Sequence, residues 1–236
     1  MKIACALPCA VALAALLAGC QQSNEEAAPG SAPSAASSAR ANTAEAKLTP
    51  LPGKEREAPA LTQVTTVRLA TTAGDVVIEV YPQAAPNAAQ RFVELARSGF
   101  FDDTPISRVV PGFVAQFGVN WREPHKAWEH REFVDDPSFF ALERGTLAFA
   151  KAGRPNTAST QVFINYRDNN RLADPAPNLS FWVFGMVVEG MDVVDQFVQV
   201  GDPSGGLDQT RLWADGGAYL ESLPVKPTMI ESATVQ

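Results

Sequence analysis

Ser107-Arg108-Val109-Val110-Pro111-Gly112-Phe113-Val114-Ala115-Gln116-Phe117-Gly118 is the stretch on which the reading of this chain turns. Its strand-like runs, Ile106 to Val110 and Phe113 to Phe117, bring a guanidinium, a phenyl ring and a carboxamide to close quarters on one strand pair. Taken singly, each has an ordinary explanation. A strand arginine is usually solvated or paired at the surface, and strand phenylalanines are usually core.

Outward from that stretch the pattern remains mostly β. Val67, Leu69 and Thr71 alternate with polar or small residues, Ala73-Gly74-Asp75 reads as a turn, and Val76, Ile78 and Val80 alternate again, which predicts a hairpin. Pro86 suits a first helical turn, Phe92, Leu95 and Ala96 follow at helical spacing, and Gly99 supplies the stop. Further strand-like runs lie at Thr146 to Ala150, Gln161 to Asn165, Val183 to Val188 and Met229 to Thr234. A second helix is predicted over Met191 to Val198, where Met191, Val194 and Phe197 share a face and Asp192 lies near the positive end of the dipole. Many short strands with few helices point to a barrel or a sandwich, and periodicity alone leaves both open.

The first part of the chain reads differently. Residues 1–19 carry Lys2, an apolar run from Ile3 to Leu17 and a small-residue close, the form of a secretory signal rather than a spanning helix. Leu17-Ala18-Gly19-Cys20 resembles the lipobox of bacterial lipoproteins, which implies cleavage before Cys20 and acylation of that cysteine. Gln21 in the next position implies the outer membrane, facing the periplasm. Residues 20–61 are rich in Ala, Ser, Pro and Glu; they are expected to be a disordered tether, because such a composition cannot offset its ordering entropy by burial. The folded domain is expected over residues 62–236. Cys5 and Cys9 leave with the signal, so that domain contains no thiol and no disulfide. A formal charge of −7 argues against a nucleic-acid partner.

The opening stretch resembles the central signature of the cyclophilins. Gly153-Arg154-Pro155-Asn156-Thr157-Ala158-Ser159-Thr160-Gln161-Val162-Phe163-Ile164-Asn165 resembles their other signature, with one extra residue near Arg154. Val183-Phe184-Gly185-Met186-Val187-Val188-Glu189-Gly190-Met191 resembles their late strand and helix start. The segments occur in family order from about Val64 to the C-terminus. The resemblance implies a mainly β fold: a closed eight-stranded antiparallel barrel capped by two α-helices. It also implies a peptidyl-prolyl cis/trans isomerase that needs no cofactor or metal, acts on proline-containing polypeptides of the envelope and is a monomer.

Carried over residue by residue, the resemblance makes Arg108 the donor to the imide nitrogen and Gln116 the group that positions the peptide carbonyl. Phe113, Val114, Phe163, Leu172 and Phe181 line the proline pocket, while Ala150, Lys151, Ala152 and Gln161 form the groove beside it. Several positions depart from the family pattern. Ser107 replaces a histidine that does no chemistry, Val114 a common methionine, Phe181 a histidine facing the pocket, and Lys151 a common asparagine. Arg171 stands where cyclosporin-sensitive members carry tryptophan, which removes an apolar wall and a donor and implies weak or no cyclosporin binding. The tail from Gly205 to Leu220 is expected to be a loop closing over the barrel.

Rival readings are a hydrolase, a metal site and a non-catalytic module that binds proline peptides or acts as a chaperone. The first is discouraged because His125 and His130 are the only histidines and no Gly-x-Ser-x-Gly elbow occurs. Those histidines, with Glu123, Glu129 and Glu132 around them, read as solvated loop residues rather than ligands. The module stays open on Arg171 and Phe181, against the retained Arg108, Phe113, Gln116 and Phe163.

Overall fold

In the computed structural model, residues 48–173 and 180–236 are described. The expected signal at 1–19, Cys20 and the tether as far as residue 47 lie outside the described residues. Strands β1 (Thr65–Thr71) and β2 (Gly74–Val80) form the expected hairpin, with Val67 opposite Ile78 and Leu69 opposite Val76. All four side chains are buried, because alternate residues of a strand face the same side.

Six more strands complete the sheet: β3 (Thr104–Val110), β4 (Val114–Phe117), β5 (Thr146–Phe149), β6 (Val162–Asn165), β7 (Gly185–Glu189) and β8 (Met229–Val235). Every pairing is antiparallel, and the order β1-β2-β7-β5-β6-β4-β3-β8 closes on itself. Closure removes the unpaired edges that an open sheet would leave. The interior holds a chain of rings, Phe117–Phe101–Phe92–Phe184–Phe149, with successive centroids 5.1 to 5.4 Å apart.

Helix α1 (Pro86–Arg97) contributes Phe92 and Leu95 to that core and ends before Gly99, whose φ of +70° suits the helix exit. Its first turn is capped from a distance. Asp136 accepts hydrogen bonds from the Asn87 N–H at 3.1 Å and the Ala88 N–H at 2.8 Å. Burial pushes the Asp136 carboxyl above its ordinary pKa, against the pull of those same donors. A second close contact fixes β4 against the entry to β6. A Cβ at Gly118 would lie 2.3 Å from the Thr160 carbonyl oxygen, so only glycine fits there.

The structure departs from the sequence reading at three places. The helix expected over Met191 to Val198 shortens to α2 (Met191–Val194). The tail expected as a loop contains a fourteen-residue helix, α3 (Gln209–Ser222), with its N-terminus capped by Asp208 through the Arg211 N–H at 3.0 Å. It kinks at Asp215, where Gly216 presses against Trp121, and the Gly216-Gly217 pair masks the helix from a propensity reading. Residues 48–61, expected to belong to the tether, lie on the barrel instead. Leu51 N–H donates to the Phe139 carbonyl and the Ala141 N–H to the Thr49 carbonyl, both at 2.8 Å. Leu48, Leu51, Ala58 and Leu61 pack into an apolar cluster with Phe140, Leu142 and Phe163, burial enough to order a stretch poor in large side chains.

Replacing Asp136 by alanine removes two N–H partners at once, so Asp136→Ala is expected to lower folding stability by about 1–2 kcal/mol, read as a shifted urea midpoint with an unchanged slope.

Candidate active site

Strand register assembles the site. Arg108 on β3 pairs with Gln116 on β4, and Gln116 pairs with Phe163 on β6, which in turn faces Ala148 on β5. Directly opposed residues of neighbouring strands project to the same face, so these side chains form one row across the outside of the barrel. Their chain neighbours Ala115, Phe117, Val162 and Ile164 point the other way, into the core, and are fully buried or nearly so.

At one end of the row lies a cavity of about 310 Å³. Phe113, Val114, Phe163, Leu172 and Phe181 give it apolar walls, and Phe163 meets Phe181 edge-on with centroids 5.5 Å apart. Phe113 directly precedes β4, and its carbonyl accepts from the Tyr166 N–H at 3.0 Å and the Asn169 Nδ2 at 3.1 Å. The Ser138 hydroxyl holds Phe181 from the other side by donating to its carbonyl at 2.9 Å.

Arg108 reaches over this cavity. Its Nε–H donates to the Ser204 carbonyl at 2.6 Å and its Nη1 to Gln116 Oε1 at 3.2 Å, while Gln116 Nε2 donates onward to Gln161 Oε1 at 2.8 Å. The guanidinium also lies 5.7 Å from the centre of the Phe113 ring. Among the described residues no carboxylate pairs with it, and partial burial pushes its pKa below the ordinary guanidinium value. A guanidinium stays protonated in a protein. A held, charged and uncompensated donor results, with Nη2 left over. Gln116 likewise keeps one of its two amide hydrogens for another acceptor.

A larger cavity of about 520 Å³ adjoins the first and shares Arg108, Gln116, Ala150 and Lys151 with it. Ala152 and Gln161 line it, as the sequence reading expects of the groove. Here two backbone donors are already engaged: the Ala150 N–H bonds to the Gln161 carbonyl at 2.8 Å, and the Ala152 N–H to the Thr157 hydroxyl at 3.0 Å. Lys151 turns inward rather than toward a ligand. Its side chain is 1% exposed, its ammonium pairs with Asp135 at 2.8 Å, and it lies 4.7 Å from the Trp182 ring and 5.6 Å from that of Phe181. Arg171 is exposed, with its guanidinium over the Phe113 ring at 5.2 Å from the centroid.

Sequence reasoning missed Ser204, Gln209 and Trp213. The last two line the larger cavity, and Ser204 also supplies the carbonyl that holds Arg108 from 96 positions away in the chain. Only the Gly205-Gly206 doublet signalled a special turn there. His130, which also lines this cavity, is 88% exposed with Glu129 at 3.7 Å, and His125 packs edge-on against Phe100. Among the described residues the smaller cavity presents no carboxylate, imidazole or thiol. It can grip an apolar ring and aim a cation at it.

Comparison with known proteins agrees with this geometry. Residues 66–233 match the family model described as cyclophilin type peptidyl-prolyl cis-trans isomerase/CLD. The chain is 34% identical over 170 residues to peptidyl-prolyl cis-trans isomerase B of Escherichia coli (strain K12), covering 70% of this chain and 96% of that one. It is 34% identical over 178 residues to peptidyl-prolyl cis-trans isomerase A of Dickeya dadantii (strain 3937), covering 75% and 87%. The crystal structure of a Cryptosporidium parvum cyclophilin type isomerase aligns with TM-score 0.55 at 22% identity, over 74% of this chain and 98% of that one, a likeness of fold.

Proposed function

The chain belongs to the cyclophilin-type peptidyl-prolyl cis-trans isomerases, and on that premise we propose how its own side chains accelerate rotation about X-Pro bonds. The uncatalysed rotation is slow because it sacrifices amide resonance, across a barrier of roughly 18–20 kcal/mol. No bond has to break. Twisting the amide returns the lone pair to the imide nitrogen, and a donor aimed at that nitrogen therefore stabilises the transition state above either ground state.

The proline ring occupies the cavity walled by Phe113, Val114, Phe163, Leu172 and Phe181. Gln116, whose carboxamide is oriented by Arg108 on one side and Gln161 on the other, gives its free amide hydrogen to the peptide carbonyl. Arg108 Nη2 donates to the imide nitrogen. The observation that carries this reading is that Arg108 is fixed at Nε and Nη1, has no carboxylate partner among the described residues and lines an apolar-walled cavity with room for a proline ring. Ala150, Lys151, Ala152 and Gln161 line the path of the flanking peptide, with Lys151 acting through Phe181 rather than by touching substrate.

Arg171 supports a weak response to cyclosporin, since a cation stands on Phe113 where an indole would extend the apolar wall. Chain placement follows from the sequence: Leu17-Ala18-Gly19-Cys20 supports lipid attachment at Cys20, and Gln21 supports the periplasmic face of the outer membrane, with envelope proteins as clients.

Catalytic amounts of the purified chain are expected to accelerate cis-to-trans relaxation of an X-Pro tetrapeptide. Arg108→Ala is expected to lower kcat/KM by about two to three powers of ten, equivalent to roughly 3–4 kcal/mol of transition-state stabilisation. Cyclosporin added to the same assay should inhibit only weakly; potent inhibition contradicts the role given to Arg171. A folded wild-type chain that binds the peptide without turnover would favour the non-catalytic module. For the anchor, Cys20→Ala should abolish incorporation of labelled palmitate and move the protein from the membrane to the soluble fraction; unchanged fractionation and labelling contradict it.

A further inference from the structure

We infer that the turn from Gly201 to Leu207, built at the base of α3, is a positioning element for the Arg108 guanidinium and so helps to set kcat. The inference rests on the catalytic role proposed above for Arg108. Its starting point is the Arg108 Nε–H bond to the Ser204 carbonyl. A long side chain with several rotatable bonds delivers its charge to one place only if something else fixes its end. Gln116 engages Nη1, but Gln116 is itself a side chain on the same sheet face. Ser204 offers a backbone oxygen, and the turn around it is unusually constrained.

Asp202 does the constraining. Its Oδ1 accepts from the Gly205 N–H at 2.7 Å, the Ser204 hydroxyl at 2.8 Å and the Ser204 N–H at 2.9 Å. Those donors, the Gly205 N–H foremost, pull the Asp202 carboxyl below its ordinary pKa, so it stays an acceptor throughout the neutral range. Backbone bonds close the same turn: Asp202 and Gly206 exchange N–H···O bonds at 2.8 Å in both directions, and the Leu207 N–H bonds to the carbonyl of Ser107, next to Arg108, at 2.8 Å. Ser204 is thereby locked to the strand that carries the arginine.

Glycine is required where the turn touches itself and β3. At Gly201, φ is +72° and a Cβ would lie 2.1 Å from the Gly206 carbonyl oxygen. At Gly206, φ is +76° and a Cβ would lie 2.6 Å from Arg108 Cβ and 2.7 Å from Arg108 Cα. The turn is therefore packed directly on the backbone of the arginine it serves. Beyond it, buried Leu207 and Leu212 hold α3 in the core, and the Asp208 N–H donates to the Tyr219 hydroxyl at 3.0 Å. The tail helix thus acts as the footing of the turn.

A double-mutant cycle in the full chain tests this. Asp202→Ala is expected to lower kcat about tenfold with KM within twofold, and to cause no further loss in an Arg108→Ala background. Asp202→Asn, which keeps an oxygen acceptor at the same place, should restore most of the rate. In nitrogen-15 spectra, the Arg108 Nε–H signal should be protected from exchange in the wild type and in Asp202→Asn, and lose that protection in Asp202→Ala. Equal losses from Asp202→Ala in both backgrounds, no loss at all, or an unaltered Nε–H signal would each overturn the inference. Full activity in Arg108→Ala would instead overturn the role of Arg108 itself, which separates the two failures.

Discussion

The register of β3, β4 and β6 is the constraint on which the rest of the structure depends. Pairing Arg108 with Gln116 and Gln116 with Phe163 places the cation, the carboxamide and a pocket ring on one outer face. The same pairing sends Phe117, Val162 and Ile164 inward to full burial. A slip by one residue would exchange the two sets, exposing apolar side chains and driving a guanidinium into the phenylalanine core, which no local rearrangement could offset. The proposed function and the stability of the barrel therefore require the same register. Barrel closure and the contact at Gly118, which has no room for a side chain, remove the freedom to slip.

Given that register, the chemistry asks little of the side chains beyond position. Rotation about an X-Pro bond consumes no proton, electron or water. In the proposed mechanism, an apolar seat for the ring and one fixed positive donor supply what the twisted amide lacks in solution. The site matches this economy: among the described residues the smaller cavity presents no carboxylate, imidazole or thiol, Arg108 has no counter-ion, and its neighbours are organised to hold it still. Lys151 shows the complementary case. It is also a cation on the rim, but pairing with Asp135 and packing between Trp182 and Phe181 make it a support for the pocket wall.

How much of this could be read from the sequence follows from the range over which each feature is encoded. The β1–β2 hairpin and the β3–β4 pair are local patterns with strong alternation, α1 is bracketed by Pro86 and Gly99, and all of them appear in the structure close to where the sequence places them. Arg108, Phe113, Gln116 and Phe163 came from ordered segment matches, and the structure gathers them at one cavity. Long-range features were hidden. Nothing local says that Ser204 will meet Arg108, that Asp136 will cap α1, or that Leu48 and Leu51 will find a cluster beyond residue 139. In α3 the local signal was misleading, because Gly216 and Gly217 lower helix propensity at the place where close packing on Trp121 demands a missing side chain.

The role proposed for Arg108 rests on its uncompensated positive charge. Its most direct test is to replace Arg108 by citrulline, a neutral urea of nearly the same shape that can still donate to Ser204. Peptide binding and thermal stability are expected to be retained while kcat/KM falls by about a hundredfold, near 3 kcal/mol in the transition state. A citrulline enzyme within twofold of the wild type would show that shape and hydrogen bonding suffice, and that the charge is not what catalyses the rotation.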